Sequence, residues 1–165
     1  LDLNFYIMNS HHTVAIGTWE GDKQQSIEYN SSIAVGIDCP RAKLRVSILL
    51  DTIQEYQVRY IFSDEEISEA VNEAGLIIGA RGIAYEGVLQ RKPVIVVGEY
   101  GFGGLVTPDT LHEQYNNYFR GKINGIKAEY FSLERLEEEI RRGFALTFQE
   151  LQMMSNQTIR FLHNI

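Results

Sequence analysis

Two segments of the chain carry residues whose types and spacing suit chemistry on an anion. The first is Gly79-Ala80-Arg81-Gly82, which follows the apolar run Leu76-Ile77-Ile78 and leads into a segment carrying Glu86. The second is Gly98-Glu99-Tyr100-Gly101-Phe102-Gly103-Gly104, between the apolar run Pro93–Val97 and the helix-start signal Thr107-Pro108-Asp109. Glycine permits positive φ and close approach of backbone N–H groups to a ligand, and a helix N-terminus adds unpaired donors and partial positive charge. Two such turns side by side read as a cradle for a diphosphate. Arg81 follows a buried strand, from which its planar fork can reach the same anion. Glu86, one turn into the helix and off the face shared by Ala84, Tyr85, Val88 and Leu89, can accept from both hydroxyls of a ribose.

Each of these residues also has a purely structural reading. Arg81 can instead bridge to Glu86 or another acid, and the glycine run can be a tight turn with no ligand. Tyr100 and Phe102 either stack on a base or sugar or pack the loop down. Gly98-x-x-Gly101-x-Gly103-Gly104 is not the Gly-x-Gly-x-x-Gly dinucleotide pattern and follows a late strand, which disfavours an NAD or flavin oxidoreductase. His11-His12 is a poor metal pair, because neighbours in a strand point to opposite faces and no third ligand has suitable spacing. His112 and His163 fall in helical segments without a nucleophile motif, and read as ordinary histidines. No metal motif is present, and no cofactor is expected.

The elements that position these residues follow from pattern and composition. At 165 residues and 44% hydrophobic content, the chain reads as one domain over 1–165. A net charge of -7 disfavours a nucleic-acid partner. The single Cys39 excludes an intrachain disulfide and points to a reducing, cytoplasmic setting. No apolar run approaches the roughly 20 residues needed to span a bilayer.

Strand-like content marks Phe5–Met8, Val14–Thr18, Ser26–Tyr29 and Ile33–Ile37, with a turn over 20–23 predicting a hairpin. Pro40 opens a helix running to about Gln57, followed by a strand over Val58–Phe62. Ser63-Asp64-Glu65-Glu66 reads as a capping box, before a helix that buries Ile67, Ala70, Val71 and Ala74. A strand over Leu76–Gly79, a helix over Ile83–Gln90 and a strand over Pro93–Val97 complete a β-α-β-α-β alternation. Ser132 caps a last helical stretch that Gly143 is expected to divide, and Arg120–Lys127 reads as a mobile surface loop. Nearly continuous Val, Ile and Leu strands separated by helices require a doubly wound, Rossmann-like parallel sheet covered on both faces.

The run Gly75–Gly98, with Arg81 and Glu86 inside it, resembles the C-terminal, nucleotide-sugar-binding half of GT-B glycosyltransferases, and Tyr100–Pro108 resembles a bacterial branch of that group. The resemblance implies that Gly79, Arg81 and Gly82 lie on the diphosphate side and that Glu86 binds the donor ribose. It also implies that Gly98, Tyr100, Gly101, Phe102, Gly103 and Gly104 lie beside sugar and phosphates, with Arg81 assisting catalysis. The donor implied is a UDP-sugar, and the partner is an N-terminal acceptor-binding domain for which this chain has no room. One half alone is expected not to turn over. Retaining members often carry a second glutamate eight positions before the ribose-binding one, where this chain has Ile78. The competing readings are a UDP-sugar 2-epimerase-like half and a non-catalytic nucleotide-binding or interaction module.

Overall fold

A computed structural model describes residues 4–7, 12–16, 25–29, 32–61, 63–122, 125–127 and 130–163. In chain order the elements are β1 (Asn4–Ile7), β2 (His12–Ile16), β3 (Gln25–Tyr29), β4 (Ile33–Gly36), α1 (Pro40–Ile53) and β5 (Val58–Ile61). A 3-10 turn (Asp64–Glu66) then leads to α2 (Ile67–Glu73), β6 (Leu76–Gly79), α3 (Gly82–Leu89), β7 (Val94–Gly98) and β8 (Gly101–Leu105). The chain continues as α4 (Leu111–Asn116), α5 (Leu133–Phe144) and α6 (Phe148–Leu162).

The main sheet has six strands in the order β5-β1-β4-β6-β7-β8. β4, β6 and β7 are parallel. β1 is antiparallel to both β4 and β5, so β5 points the same way as the parallel set. β8 folds back on β7. The architecture is α/β and Rossmann-like, with a mixed rather than purely parallel sheet. β2 and β3 pair separately as an antiparallel ribbon. The predicted turn over 20–23 and His11 lie outside the described residues.

Successive side chains of a strand point to opposite faces, and the apolar strands use both. Ile33, Val35, Leu76, Ile78, Ile95 and Val97 pack with Val46, Leu49 and Leu50 of α1 and Leu136 and Ile140 of α5. Ala34, Ile77, Val94 and Val96 pack with Ala70 and Val71 of α2, Ala84 and Val88 of α3, and Met154 of α6. Helices therefore cover both faces, and each large apolar side chain buried this way contributes about 1.5–3 kcal/mol.

From β4 the chain passes through α1 to β5 on one side, then returns through α2 to β6 on the other. The order of connection reverses between β4 and β6, which opens a crevice beyond their carboxyl ends.

Several local expectations are corrected. α1 stops at Ile53, where Gln54 takes a left-handed φ of 52°. Ser63 makes no capping hydrogen bond, and α2 begins only after the 3-10 turn. Thr147 with Glu150 forms a capping box instead, at the start of α6. Gly143 lies inside α5, where a Cβ would sit 2.7 Å from Leu76 Cδ1, so it serves close packing on β6; the helical stretch breaks after Phe144 instead. No described helix is long and apolar enough to cross a membrane.

Candidate functional site

A pocket of about 490 Å³ occupies the crevice between β4 and β6. Gly36 and Asp38 line it from the end of β4, Asp64 and Ser68 from the approach to α2, and Arg81, Gly82, Ile83 and Glu86 from the turn after β6 and the first turns of α3. The site is built where three carboxyl-terminal loops meet, and the segment Gly79–Glu86 supplies its wall.

That wall is shaped by the backbone. Gly79 is a packing glycine: a Cβ would run into Gly36 O and sit 2.6 Å from Ile83 Cγ2, so its absence lets β4, β6 and α3 close together. Arg81, the N-cap of α3, has φ 55° and ψ -125°. L-residues rarely adopt such a conformation, which costs on the order of 1–3 kcal/mol and turns the strand sharply into the helix. Gly82 differs from both neighbours. Its φ is not left-handed and a Cβ there would meet nothing within 4 Å, so neither backbone nor packing requires a glycine. A larger residue would narrow the pocket mouth beside the α3 N-terminus. The first bond closing the helix is Tyr85 N–H to Arg81 O, so the N–H groups of Gly82 and Ile83 have no intrahelical acceptor.

The charged groups are arranged differently from the simple pairing of Arg81 with Glu86. Arg81 Nη2 donates to Glu99 Oε1 at 2.6 Å. Arg120 Nε lies 3.1 Å from the same oxygen but off the hydrogen-bonding direction. The Arg120 guanidinium also lies 5.8 Å from the Tyr100 ring centre and 5.3 Å from that of Tyr118, and donates to Tyr100 Oη. Glu86, half-buried, accepts from Gln90 Nε2 at 2.6 Å. Asp38, Asp64 and Glu86 therefore give the pocket an acceptor-rich rim, while Arg81 and the α3 N-terminus form its anion-seeking side. Burial raises the phenol pKa of Tyr85, whose ring packs edge-on against Phe119 at 4.7 Å.

The glycine run does not form the expected strand-to-helix loop. Gly98 ends β7, Glu99 and Tyr100 make the turn, and Gly101 to Gly104 lie in β8. The turns after β6 and β7 do sit side by side, since a Cβ on Gly98 would come 2.9 Å from Ala80 Cβ. The crevice between them, however, is filled by the chain's own segment 119–121. Phe119 O accepts from Arg81 N–H, and Arg120 O accepts from Tyr100 N–H. A Cβ on Gly98 would stand 2.5 Å from Arg120 O, and one on Gly121 would collide with Gly101 O.

Each hairpin glycine also lies close to another part of the chain. Gly101 (φ 117°) lies against Ile126 O, Gly103 against the Gln114 amide, and Gly104 (φ 78°) beside Glu139. Phe102 is buried and stacks on Phe131 at 4.7 Å. The described part of 120–127 is anchored too, with Ile126 O accepting from Phe102 N–H.

Of the residues singled out from sequence, Arg81, Gly82 and Glu86 share the pocket and Gly79 supports it from beneath. Gly98 and Tyr100 adjoin it through Ala80 and Glu99, while Gly101, Phe102, Gly103 and Gly104 lie elsewhere. Sequence reasoning missed Asp38, Asp64 and Glu99. The signal available for Asp64 was an acid just past an apolar strand, which read equally well as helix capping. His112 packs edge-on to Phe161 at 5.5 Å, and His163 caps α6. Among the described residues no three metal-ligating side chains gather. No protein-family model, curated protein or solved structure matches the chain.

Proposed function

We propose that the chain is the donor-binding half of a GT-B glycosyltransferase, and that a nucleoside diphosphate-sugar, UDP-linked, occupies the pocket between β4 and β6. One observation carries this reading: the free N–H groups of Gly82 and Ile83, the Arg81 guanidinium and the Glu86 carboxylate meet in one pocket at the reversal point of the sheet. An anionic diphosphate fits the cationic side and ribose hydroxyls fit the acceptor-rich rim. A bare polyanion would suit that rim poorly, because carboxylates repel it.

In this reading the chain acts electrostatically. As the sugar–oxygen bond breaks, negative charge grows on the departing diphosphate. Arg81 and the α3 N-terminus oppose that charge more strongly in the transition state than in the ground state. Glu86 orients the nucleotide through its ribose. The acceptor and the base belong to a second domain, so this chain binds the donor without turning it over. Calorimetric titration with UDP and UDP-sugars tests the reading. Arg81→Ala and Glu86→Ala are each expected to weaken binding about tenfold or more, the loss of one charge-assisted hydrogen bond. Unchanged affinity in both variants would remove these roles.

A further inference from the structure

The glycine hairpin, set aside as a diphosphate loop, forms part of a different cluster. A pocket of about 380 Å³ lies between β8, the residues Lys122, Gly125 and Ile126, and α5. It shares no lining residue with the pocket between β4 and β6. Arg135, Arg142, Lys122 and Glu139 all line it. Glu139 is 1% exposed, and its Oε2 accepts from Leu105 N–H at 3.1 Å. Arg135 Nη2 reaches its Oε1 at 3.0 Å from one turn before, and Arg142 Nη1 reaches its Oε2 at 3.2 Å from one turn after.

One buried carboxylate needs one cation to balance it. Here it has two, and Lys122 lines the same pocket, so the ionisable groups of the described lining are three cations and one acid, a surplus of two positive charges. In a chain of net charge -7 that surplus is local and unusual. The two guanidiniums are held in place, because Glu139 is fixed by burial and by β8, and Arg135 lies 5.7 Å from the Phe102 ring centre. Each guanidinium has five N–H donors, most of them unused by Glu139. About half of each arginine side chain is open to solvent.

The geometry points to a second anion site in this pocket, taking a phosphoryl dianion, either free phosphate or a phosphate monoester. Two negative charges match the surplus, and a tetrahedral oxyanion can accept from both forks and the ammonium together. The hairpin then serves the site indirectly: Gly104 takes the left-handed φ of 78° that leads into Leu105, whose N–H holds Glu139 between the arginines.

The test is a titration of the isotopically labelled full chain with inorganic phosphate, phenyl phosphate and acetate, followed at backbone amides. Saturable shifts at Gly103, Gly104 and Leu105 with the two phosphates, and none with acetate, are expected. Lys122→Gln combined with Arg142→Gln should weaken binding about tenfold or more, while Lys122→Gln alone, with the Glu139 cluster intact, should weaken it less. Tighter binding of phenyl phosphate would identify a monoester, and equal binding free phosphate. Shifts that do not saturate, that appear equally with acetate, that persist unchanged in the double variant, or that fall only at Gly82 and Ile83 would overturn the proposal.

Discussion

The Arg81 guanidinium is held by the Glu99 carboxylate at 2.6 Å, so the cation on the wall of the candidate site is occupied by an acid from the neighbouring hairpin turn. Both side chains are more than two-fifths exposed, and such a pair contributes little to stability. A ligand phosphate competing for Arg81 has to displace Glu99. Glu99→Gln is therefore expected to tighten UDP binding several-fold with almost no change in Tm, measured by calorimetry and thermal melting. Weaker binding would mean that Glu99 holds Arg81 in its working position.

The backbone of Arg81 allows a separate test. At φ 55° and ψ -125° any side chain beyond hydrogen is strained, and Ala keeps that strain where Gly does not. Arg81→Gly is expected to be about 1 kcal/mol more stable than Arg81→Ala by denaturant unfolding. Both should lose UDP affinity equally. Equal stability of the two would show that the turn relaxes without its unusual backbone.

Gly82 and Gly98 should respond in opposite ways to the same substitution. Gly82→Ala places a methyl in open space at the first position of α3, which is expected to stabilise the fold by up to about 0.5 kcal/mol while weakening UDP binding. Gly98→Ala forces a Cβ to 2.5 Å from Arg120 O, and a loss of about 1–3 kcal/mol is expected. Full UDP affinity in Gly82→Ala would show that the space in front of α3 is not used by ligand.

Alkaline pH should lower the stability of the chain through its tyrosines. Burial, first among the causes, raises the phenol pKa of Tyr56, Tyr60 and Tyr85 above the ordinary 10.0. In that window the unfolded chain has released protons that the folded chain still holds, so stability falls as pH rises. The loss begins near pH 10 and continues until the folded phenols ionise. Tyr56→Phe should flatten this part of the profile of denaturation midpoint against pH, and an unaltered slope would contradict the assignment to Tyr56. Lys92, lowered by burial, acts in the opposite sense and is the same in both proteins.

How much of this was legible depended on whether a residue's reason was local. The helices and parallel strands from Ile33 to Val97 announced themselves, because uninterrupted Val, Ile and Leu runs alternate with helical spacing. Arg81, Gly82 and Glu86 could be placed on one pocket because a strand end and a helix start bracket them. The strand order could not be read, since pairing of β4 with β6 is set by contacts distant in sequence. That is why Asp38 and Asp64, brought to the same pocket by the reversal of the sheet, went unrecognised. The glycines from Gly98 to Gly104 read as a loop rather than a hairpin for a related reason. A glycine that admits a carbonyl of Arg120 or Ile126 looks, in sequence, the same as one that admits a phosphate.

The central claim is that the end of α3 facing β4 receives the donor diphosphate. An amide-resolved titration of the labelled chain with UDP measures this directly. Saturable displacement of the Gly82 and Ile83 signals, lost in Arg81→Ala, is the predicted result. Signals from Gly82 and Ile83 that stay fixed through a saturating titration would contradict it.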